Sequence, residues 1–293
     1  MNQADFSRKG IARTVTVLLA LALPFVATVR VADAAETAER TAFRVCSDPG
    51  NLPFSNEAGE GFENKLAELM AQELGLPLKY YFYPQRMNFV RNTLRFKLPD
   101  EDYRCDVMLG VPVGFDQVAT TGPYFRSTYA LVYVKGRKLD GVKSAGDLLA
   151  MGDKAKSLRI GVFDRSPATA WLARHNLVDA GAPYRMLNAR PDFYPGEILE
   201  KDLVAGDIDA AIVWGPVAGF AARRVTSVEL VVIPLRSEPG VKFDFAVAMG
   251  TRFGETQWKQ KLETLIASNQ AQILQILHEY RVPLVDENGN PVP

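Results

Sequence analysis

Short apolar strands alternate with amphipathic helices along most of the chain, and this alternation limits the fold more than any other feature. One series contains three strand patterns with helices between them, at 43–45, 78–83 and 106–111. A second series contains three more, at 158–162, 184–187 and 209–214. Strands joined by helical crossovers form parallel sheets, so the sequence predicts two α/β units.

The intervening helices are recognised by apolar residues at helical spacing. The clearest begins at Phe62 and stops at Gly75, where a C-terminal glycine is usual. Shorter helices are predicted around Met87 and Leu94, at 167–175 and at 197–205.

The last strand and helices have no sheet of their own, because the second series ends near residue 240. The economical arrangement returns the strand at 243–249 to the first unit. The sequence therefore predicts two lobes, one formed by 36–134 plus 241–293 and the other by 135–240. Two crossing segments, near 130 and near 240, would let the lobes close like a hinge over a cleft.

The beginning of the chain has the pattern of a secretory signal peptide. Three basic residues precede an apolar run at 15–29, and a small-x-small cleavage pattern follows at 32–34. The apolar run is shorter than a membrane-spanning helix usually requires. Residues 1–35 are therefore predicted to direct export to the periplasm and not to anchor the chain in a membrane.

The charge balance excludes two classes of partner. Without residues 1–35, the chain holds 30 basic and 32 acidic residues, a net charge of −2. It has neither a basic stripe for nucleic acid nor a polybasic patch for anionic lipid.

Cys46 and Cys105 are the two cysteines. An even count in an oxidising compartment favours a disulfide between them. Their places in the predicted sheet argue the other way, because Cys46 is near the end of one strand and Cys105 at the start of its neighbour. Both the bridged and the free state therefore stay open.

Four loops leave the predicted strands at the edge where parallel α/β sheets bind ligands. The loop CSDPGNLPFSN, which follows the strand at 43–45, is the most polar and the most sharply turned of them. Tyr83 could line the cleft or pack in the core. The segment at 163–166 could bind an anion at a helix N-terminus or form an ordinary N-cap. Arg126 could reach the cleft or brace the crossing strands. The predicted cleft residues are Asp48, Phe54, Tyr83, Val111, Pro112, Gln117, Asp164, Arg165, Ser166 and Trp214.

An enzyme is disfavoured by the residues that are missing. His175 and His278 are the two histidines, each better explained by packing or exposure. No G-x-S-x-G, H-E-x-x-H or phosphate-binding glycine loop occurs. The acidic residues at 100–102 are adjacent rather than spaced for a metal. The sequence therefore predicts a non-enzymatic protein with no cofactor and no metal site.

The motifs resemble those of type II periplasmic solute-binding proteins, the extracytoplasmic receptors of ABC importers. The resemblance rests on D-x-x-x-x-P-F-S after the first strand, on G-F followed by a helix that ends in MAQELG, and on AGDIDA before the strand at 209–214. It implies two lobes, each a mainly parallel sheet flanked by helices. Amino-acid receptors of this class hold the α-carboxylate with an Arg and the α-amine with an Asp. Gln117 and Trp214 stand at those positions here, so a receptor for amino acids is disfavoured.

A subfamily resembles the chain more closely, through RVCSDPGNLPFSNEAGEGFENKLAEL, PQRMNFVRNTL, CDVMLGVPVGFD and TTGPYFRSTYALVY. These segments are similar to the J proteins of methanol dehydrogenase operons in methylotrophs. The resemblance implies a monomeric accessory protein that aids maturation or activation of a pyrroloquinoline-quinone (PQQ)-dependent methanol dehydrogenase served by a c-type cytochrome. It fits the calcium-dependent and the lanthanide-dependent branch of these dehydrogenases equally. The alternative is an ABC-importer receptor for a small solute that is not an amino acid.

Overall fold

The computed structural model describes residues 40–85, 88–186, 190 and 193–292. The predicted signal peptide and Met87 lie outside these residues. The strands are β1 (Phe43–Ser47), β2 (Gly50–Asn51), β3 (Ser55–Asn56), β4 (Leu78–Phe82), β5 (Val107–Pro112), β6 (Ala119–Thr120), β7 (Phe125–Val134), β8 (Ile160–Phe163), β9 (Gly181–Tyr184), β10 (Ala210–Trp214), β11 (Leu230–Pro234) and β12 (Asp244–Thr251).

Helices alternate with strands in both halves of the chain. The α-helices are α1 (Phe62–Leu74), α2 (Phe89–Asn92), α3 (Ala145–Ala150), α4 (Asp153–Lys156), α5 (Pro167–Arg174), α6 (Gly215–Arg224), α7 (Thr256–Ser268) and α8 (Gln270–Glu279). A 3-10 turn covers Val178–Ala180, and the predicted helix at 197–205 contains a π-helical segment, Ile198–Leu203.

The main strands form one curled sheet in the order β4-β1-β5-β12-β7-β10-β8-β9. At one end β1 pairs in parallel with β4 and β5, and at the other β8 pairs in parallel with β9 and β10. The strands β12 and β7 run antiparallel to their neighbours and join the two parallel parts. The strand β12 lies between β5 and β7, next to the parallel part to which the sequence predicts that the last strand returns.

The strand β7 belongs to both parts of the sheet. Its first residues pair with β12, with Phe125 opposite Val247 and Thr128 opposite Asp244. From Tyr129 onward it pairs with β10 on one side, and from Ala130 with β11 on the other. The two lobes therefore meet within a single strand.

Two strands differ from the prediction. The strand predicted at 184–187 is observed at Gly181–Tyr184, as β9, and β9 contains Pro183. Proline is tolerated there because β9 is an edge strand that pairs only with β8 among the described strands. The sequence analysis missed β11, although its run of β-branched residues carries an ordinary strand signal.

Each lobe has its own apolar core. In the first lobe, α1 buries Phe62, Leu66 and Met70 completely, as its helical spacing predicts. The C-terminal helices α7 and α8 pack against the same core through Trp258 and Ile273. This packing fixes α1 against the sheet and thereby sets the direction of its first turn.

The cysteines are bridged, so the favoured interpretation of the sequence was correct. Cys46 and Cys105 have Cα atoms 5.3 Å apart. The predicted misalignment does not arise because β5 begins two residues after Cys105. The Asp106 N–H donates to the Arg44 carbonyl at 2.8 Å, and this contact brings the preceding residue alongside β1.

Candidate functional site

The loop after β1 folds into a small hairpin that is fixed by Asp48. One carboxylate oxygen of Asp48 accepts a hydrogen bond from the Gly50 N–H at 2.8 Å, and the other accepts one from the Gln85 N–H. The Asp48 N–H donates to Ser55 Oγ at 3.2 Å. Asp48 therefore shapes the loop with both carboxylate oxygens occupied.

The same loop holds the N-terminus of α1. The Phe62 N–H donates to the Pro53 carbonyl at 2.8 Å, and the Glu63 N–H donates to the Phe54 carbonyl at 2.9 Å. These bonds satisfy N–H groups that have no partner inside the helix. Phe62 then faces the core, and Glu63 faces the space between the lobes.

That space is a cavity of about 300 Å³ between the two lobes. Its wall is mostly apolar, with contributions from the first lobe, the hinge strands and the end of β10. The lining residues are Phe54, Glu63, Gln85, Gly110, Pro112, Phe125, Tyr129, Trp214, Phe245 and Val247.

Glu63 is the acidic residue among the described residues of this wall. Its Oε1 lies so close to Gly110 that a Cβ atom on Gly110 would come within 3.0 Å of it. Burial raises the pKa of Glu63 to about 8, and the negative charge of Asp48 adds to this effect. The carboxyl therefore holds its proton at neutral pH in the empty cleft.

The aromatic side chains of the wall contact one another. The ring centroids of Tyr129 and Trp214 are 5.5 Å apart, and those of Trp214 and Phe245 are 5.9 Å apart, both edge to face. Burial raises the pKa of Tyr129 to about 12, so its hydroxyl is neutral. The cavity is thus an aromatic box with one carboxyl group.

Three of the predicted cleft residues line this cavity. Phe54 and Pro112 contribute from the first lobe and Trp214 from the second. Asp48 lies behind the wall and holds the loop that carries Phe54. These residues follow strands of different lobes, and the structure brings them together at one sheet edge.

Three other predicted residues lie beside the cavity rather than in it. Tyr83 packs against Phe89, and its hydroxyl accepts a hydrogen bond from Asn92 Nδ2 at 2.9 Å. Val111 is buried near the disulfide and, with Gln117, lines an adjacent recess of about 290 Å³.

The residues of the turn after β8 do not line the cavity. The Asp164 carboxylate accepts a hydrogen bond from the Met186 N–H at 2.8 Å. Arg165 is exposed, and Ser166 Oγ donates back to the Phe163 carbonyl at 2.7 Å. Ser166 is the N-cap residue of α5, with Pro167 at the first helical positions.

Arg126 braces the hinge. Its guanidinium pairs with Asp244 at 2.7 Å across β7 and β12. Burial by itself would raise the pKa of Asp244, but hydrogen bonds from Ser237 and Arg126 outweigh it and hold that pKa below its ordinary value. The interpretation of Arg126 as a brace fits this contact.

Sequence reasoning missed Glu63, Tyr129 and Phe245. Glu63 reads as an acidic residue in the first turn of a helix, which is common because it complements the helix dipole. Tyr129 and Phe245 lie on the hinge strands, where successive side chains alternate between faces. A signal was present in the number of aromatic residues around both crossings.

No group of three or more His, Cys, Asp or Glu residues in the described part of the chain could hold a metal ion. His175 Nε2 contacts Glu238 at 2.9 Å and its ring packs on Trp171, a packing role. None of the described helices is long and apolar enough to cross a membrane.

Comparison with known proteins identifies the class. No family model matches the chain. The crystal structure of the periplasmic binding protein XoxJ from Methylobacterium extorquens AM1 superposes with a TM-score of 0.67 at 37% identity, covering 84% of this chain and 100% of XoxJ. MxaJ from Methlophaga aminisulfidivorans MPT superposes with a TM-score of 0.69 at 23% identity, covering 83% and 100%.

A curated relative extends the comparison. Protein MoxJ of Paracoccus denitrificans is 28% identical over 261 residues, which cover 85% of this chain and 91% of MoxJ. Two lobes that share hinge strands around a cleft define a type II periplasmic binding protein. The chain belongs to the MoxJ/XoxJ family of these proteins.

Proposed function

We propose that this chain is a non-enzymatic periplasmic accessory protein that aids maturation or activation of a PQQ-dependent methanol dehydrogenase. Its membership of the MoxJ/XoxJ family supports this role. Residues 1–35 would direct its export, and the mature chain would act as a monomer beside the dehydrogenase and its c-type cytochrome.

The aromatic cleft is the observation that carries the proposal. A receptor for a zwitterion needs a cation for the carboxylate and an anion for the amine. Within the described residues, no basic side chain lines the cavity, and the Arg126 guanidinium of the hinge is paired with Asp244. Free amino acids therefore lack a clamp.

An apolar cleft suits a partner's chain segment. Aromatic residues that become buried at an interface contribute a large share of binding energy. Phe54 and Trp214 are both only partly buried in the free protein and lie on opposite lobes. A segment inserted between them would cover both at once.

The test is activation of purified dehydrogenase by Phe54→Ala and Trp214→Leu variants whose folding is checked by circular dichroism. We expect each to need roughly tenfold more protein for the same activation. Phe253→Ala is the matched control, because Phe253 is 61% exposed and does not line the cavity.

Two outcomes would contradict the proposal. Full activation by both cleft variants would move the docking surface to an outer face. Failure of the unmodified protein to bind or activate the dehydrogenase, together with saturable binding of a small solute, would favour an importer receptor.

A further inference from the structure

The proposed function leaves Glu63 without a role. Glu63 is the single acidic side chain among the described residues that line the cavity, and no described residue donates a hydrogen bond to its carboxyl group. The Glu63 side chain is partly buried, and carboxyl groups held away from bulk water are ordinarily paired or hydrogen-bonded, because an isolated charge there is costly. An unpaired carboxyl group facing a cavity therefore indicates a ligand.

The rest of the wall indicates which charge that ligand carries. Five aromatic rings share the cavity with Glu63, from Phe54, Phe125, Tyr129, Trp214 and Phe245. The faces of aromatic rings attract cations through their quadrupole. The Phe245 ring already attracts the exposed Lys242, whose Nζ is 5.2 Å from the ring centroid.

We propose that the cleft binds one organic cation, an alkylammonium or guanidinium group, with Glu63 as its counter-ion and the aromatic rings as its walls. A cation that also bears a carboxylate is excluded by the same wall, because that carboxylate would lie near Glu63 without a partner. This site does not depend on the dehydrogenase, so either proposal can fail without the other.

Proton release accompanies binding in this arrangement. Among the described residues, the titratable groups that interact with Glu63 are Asp48, Tyr80 and Tyr124, and each of them carries either a negative charge or none. They favour the protonated carboxyl in the empty cleft. An arriving ammonium ion replaces that proton as the partner of the carboxylate, and one proton leaves to the solvent for each cation bound.

The first test is titration calorimetry of the mature protein with n-butylammonium chloride, with n-pentanol and pentanoate as the neutral and anionic analogues. We expect saturable binding of butylammonium alone. Its affinity should rise by roughly tenfold per pH unit as pH approaches the Glu63 pKa of about 8, and level off above it. Equal binding of pentanol would overturn the proposal.

Matched variants locate the effect. Glu63→Gln keeps the shape and removes the charge, so it should weaken butylammonium binding by roughly tenfold or more and abolish its pH dependence. Glu68→Gln, on the exposed face of the same helix, should bind like the unmodified protein. Phe245→Leu keeps the carboxyl and removes a ring, so it should weaken binding by roughly fivefold.

Unchanged affinity in both Glu63→Gln and Phe245→Leu would overturn the proposal even if an ammonium ion binds. The source of the cation is tested with N-acetyl-lysine methylamide, a lysine within a peptide backbone. Binding as tight as that of butylammonium would indicate a side chain of a partner segment. Binding of butylammonium alone would indicate a free amine, and either result supports a cation site.

Discussion

Glu63 Oε1 occupies space that a side chain on Gly110 would need, since a Cβ atom there would come within 3.0 Å of it. Gly110 also has a positive φ of 71°, which favours glycine. The carboxyl group therefore lies directly on the β5 backbone, and the absence of a Cβ atom at residue 110 is what allows it to.

Glu63→Gln should change how stability depends on pH. The unfolded chain releases the Glu63 proton near its ordinary pKa, while the folded protein keeps it until about pH 8. Stability is therefore lost as pH rises between these values, by at most about 1.4 kcal/mol per pH unit. Glu63→Gln does not lose stability in this way, because a glutamine side chain has no carboxyl proton to release.

Urea unfolding from pH 5 to pH 9 measures the effect. The free energy of unfolding of Glu63→Gln minus that of the unmodified protein should increase up to about pH 8 and then stay level. A difference that does not vary with pH would contradict the raised pKa.

Neutral and acidic amino acids should not bind in the cleft. The described cavity wall offers their α-carboxylate no basic side chain and places it near Glu63. A sharp comparison is leucine against 3-methylbutylammonium, which differ only by the carboxylate. A reproducible, saturable thermal shift with leucine would refute the prediction, since ligand at about 100 times its Kd should add about 2.7 kcal/mol of stability.

Removal of the disulfide should destabilise the first lobe. The Cys46–Cys105 bridge spans 59 residues of sequence, and closing a loop of that length contributes on the order of 4 kcal/mol in the chain-entropy model. We expect a Cys46→Ala/Cys105→Ala variant to unfold at correspondingly lower urea. Thiol titration of the denatured, unreduced protein should find no free thiol; two thiols would contradict the bridge.

Gly219→Ala should be strongly destabilising. A Cβ atom on Gly219 would meet the Arg281 carbonyl oxygen well within 3.0 Å, so α6 could no longer pack against the C-terminal segment. We expect a loss of about 2 kcal/mol or more, as in other overpacked contacts. Gly122→Ala is the control, because nothing lies within 4 Å of its added Cβ. Equal stability of the two variants would contradict the close contact.

Most of the fold could be predicted, because helices and strands depend on patterns among residues that are close together in the sequence. The spacing of Phe62, Leu66 and Met70 predicts α1, and the rule for strand ends predicts that Phe54 and Trp214 line a cleft. The role of Glu63 could not be predicted in this way. It depends on how α1 is rotated against β5, which is set by packing between residues distant in sequence.

The faces of the sheet on which the hinge-strand side chains lie could not be predicted from neighbouring residues either. Tyr129 and Phe245 each had two possible faces, and only the pairing of β7 with β12 decides between them. Placing the two cysteines correctly required the correct start of β5. This strand begins at Val107, one residue later than the predicted strand. Strand boundaries are the least certain part of such predictions.

The continuous strand β7 has a consequence for the integrity of the molecule. Because Phe125–Val134 supplies hydrogen bonds to β12 at one end and to β10 and β11 at the other, no flexible linker replaces it at this crossing. A chain cut before β7 deprives the first lobe of the strand that pairs with β12, and a cut after β7 deprives the second lobe of the strand between β10 and β11. The lobes are therefore not exchangeable modules. A hybrid protein with one lobe from each of two relatives would fold only if its β7 could pair with the strands of both lobes.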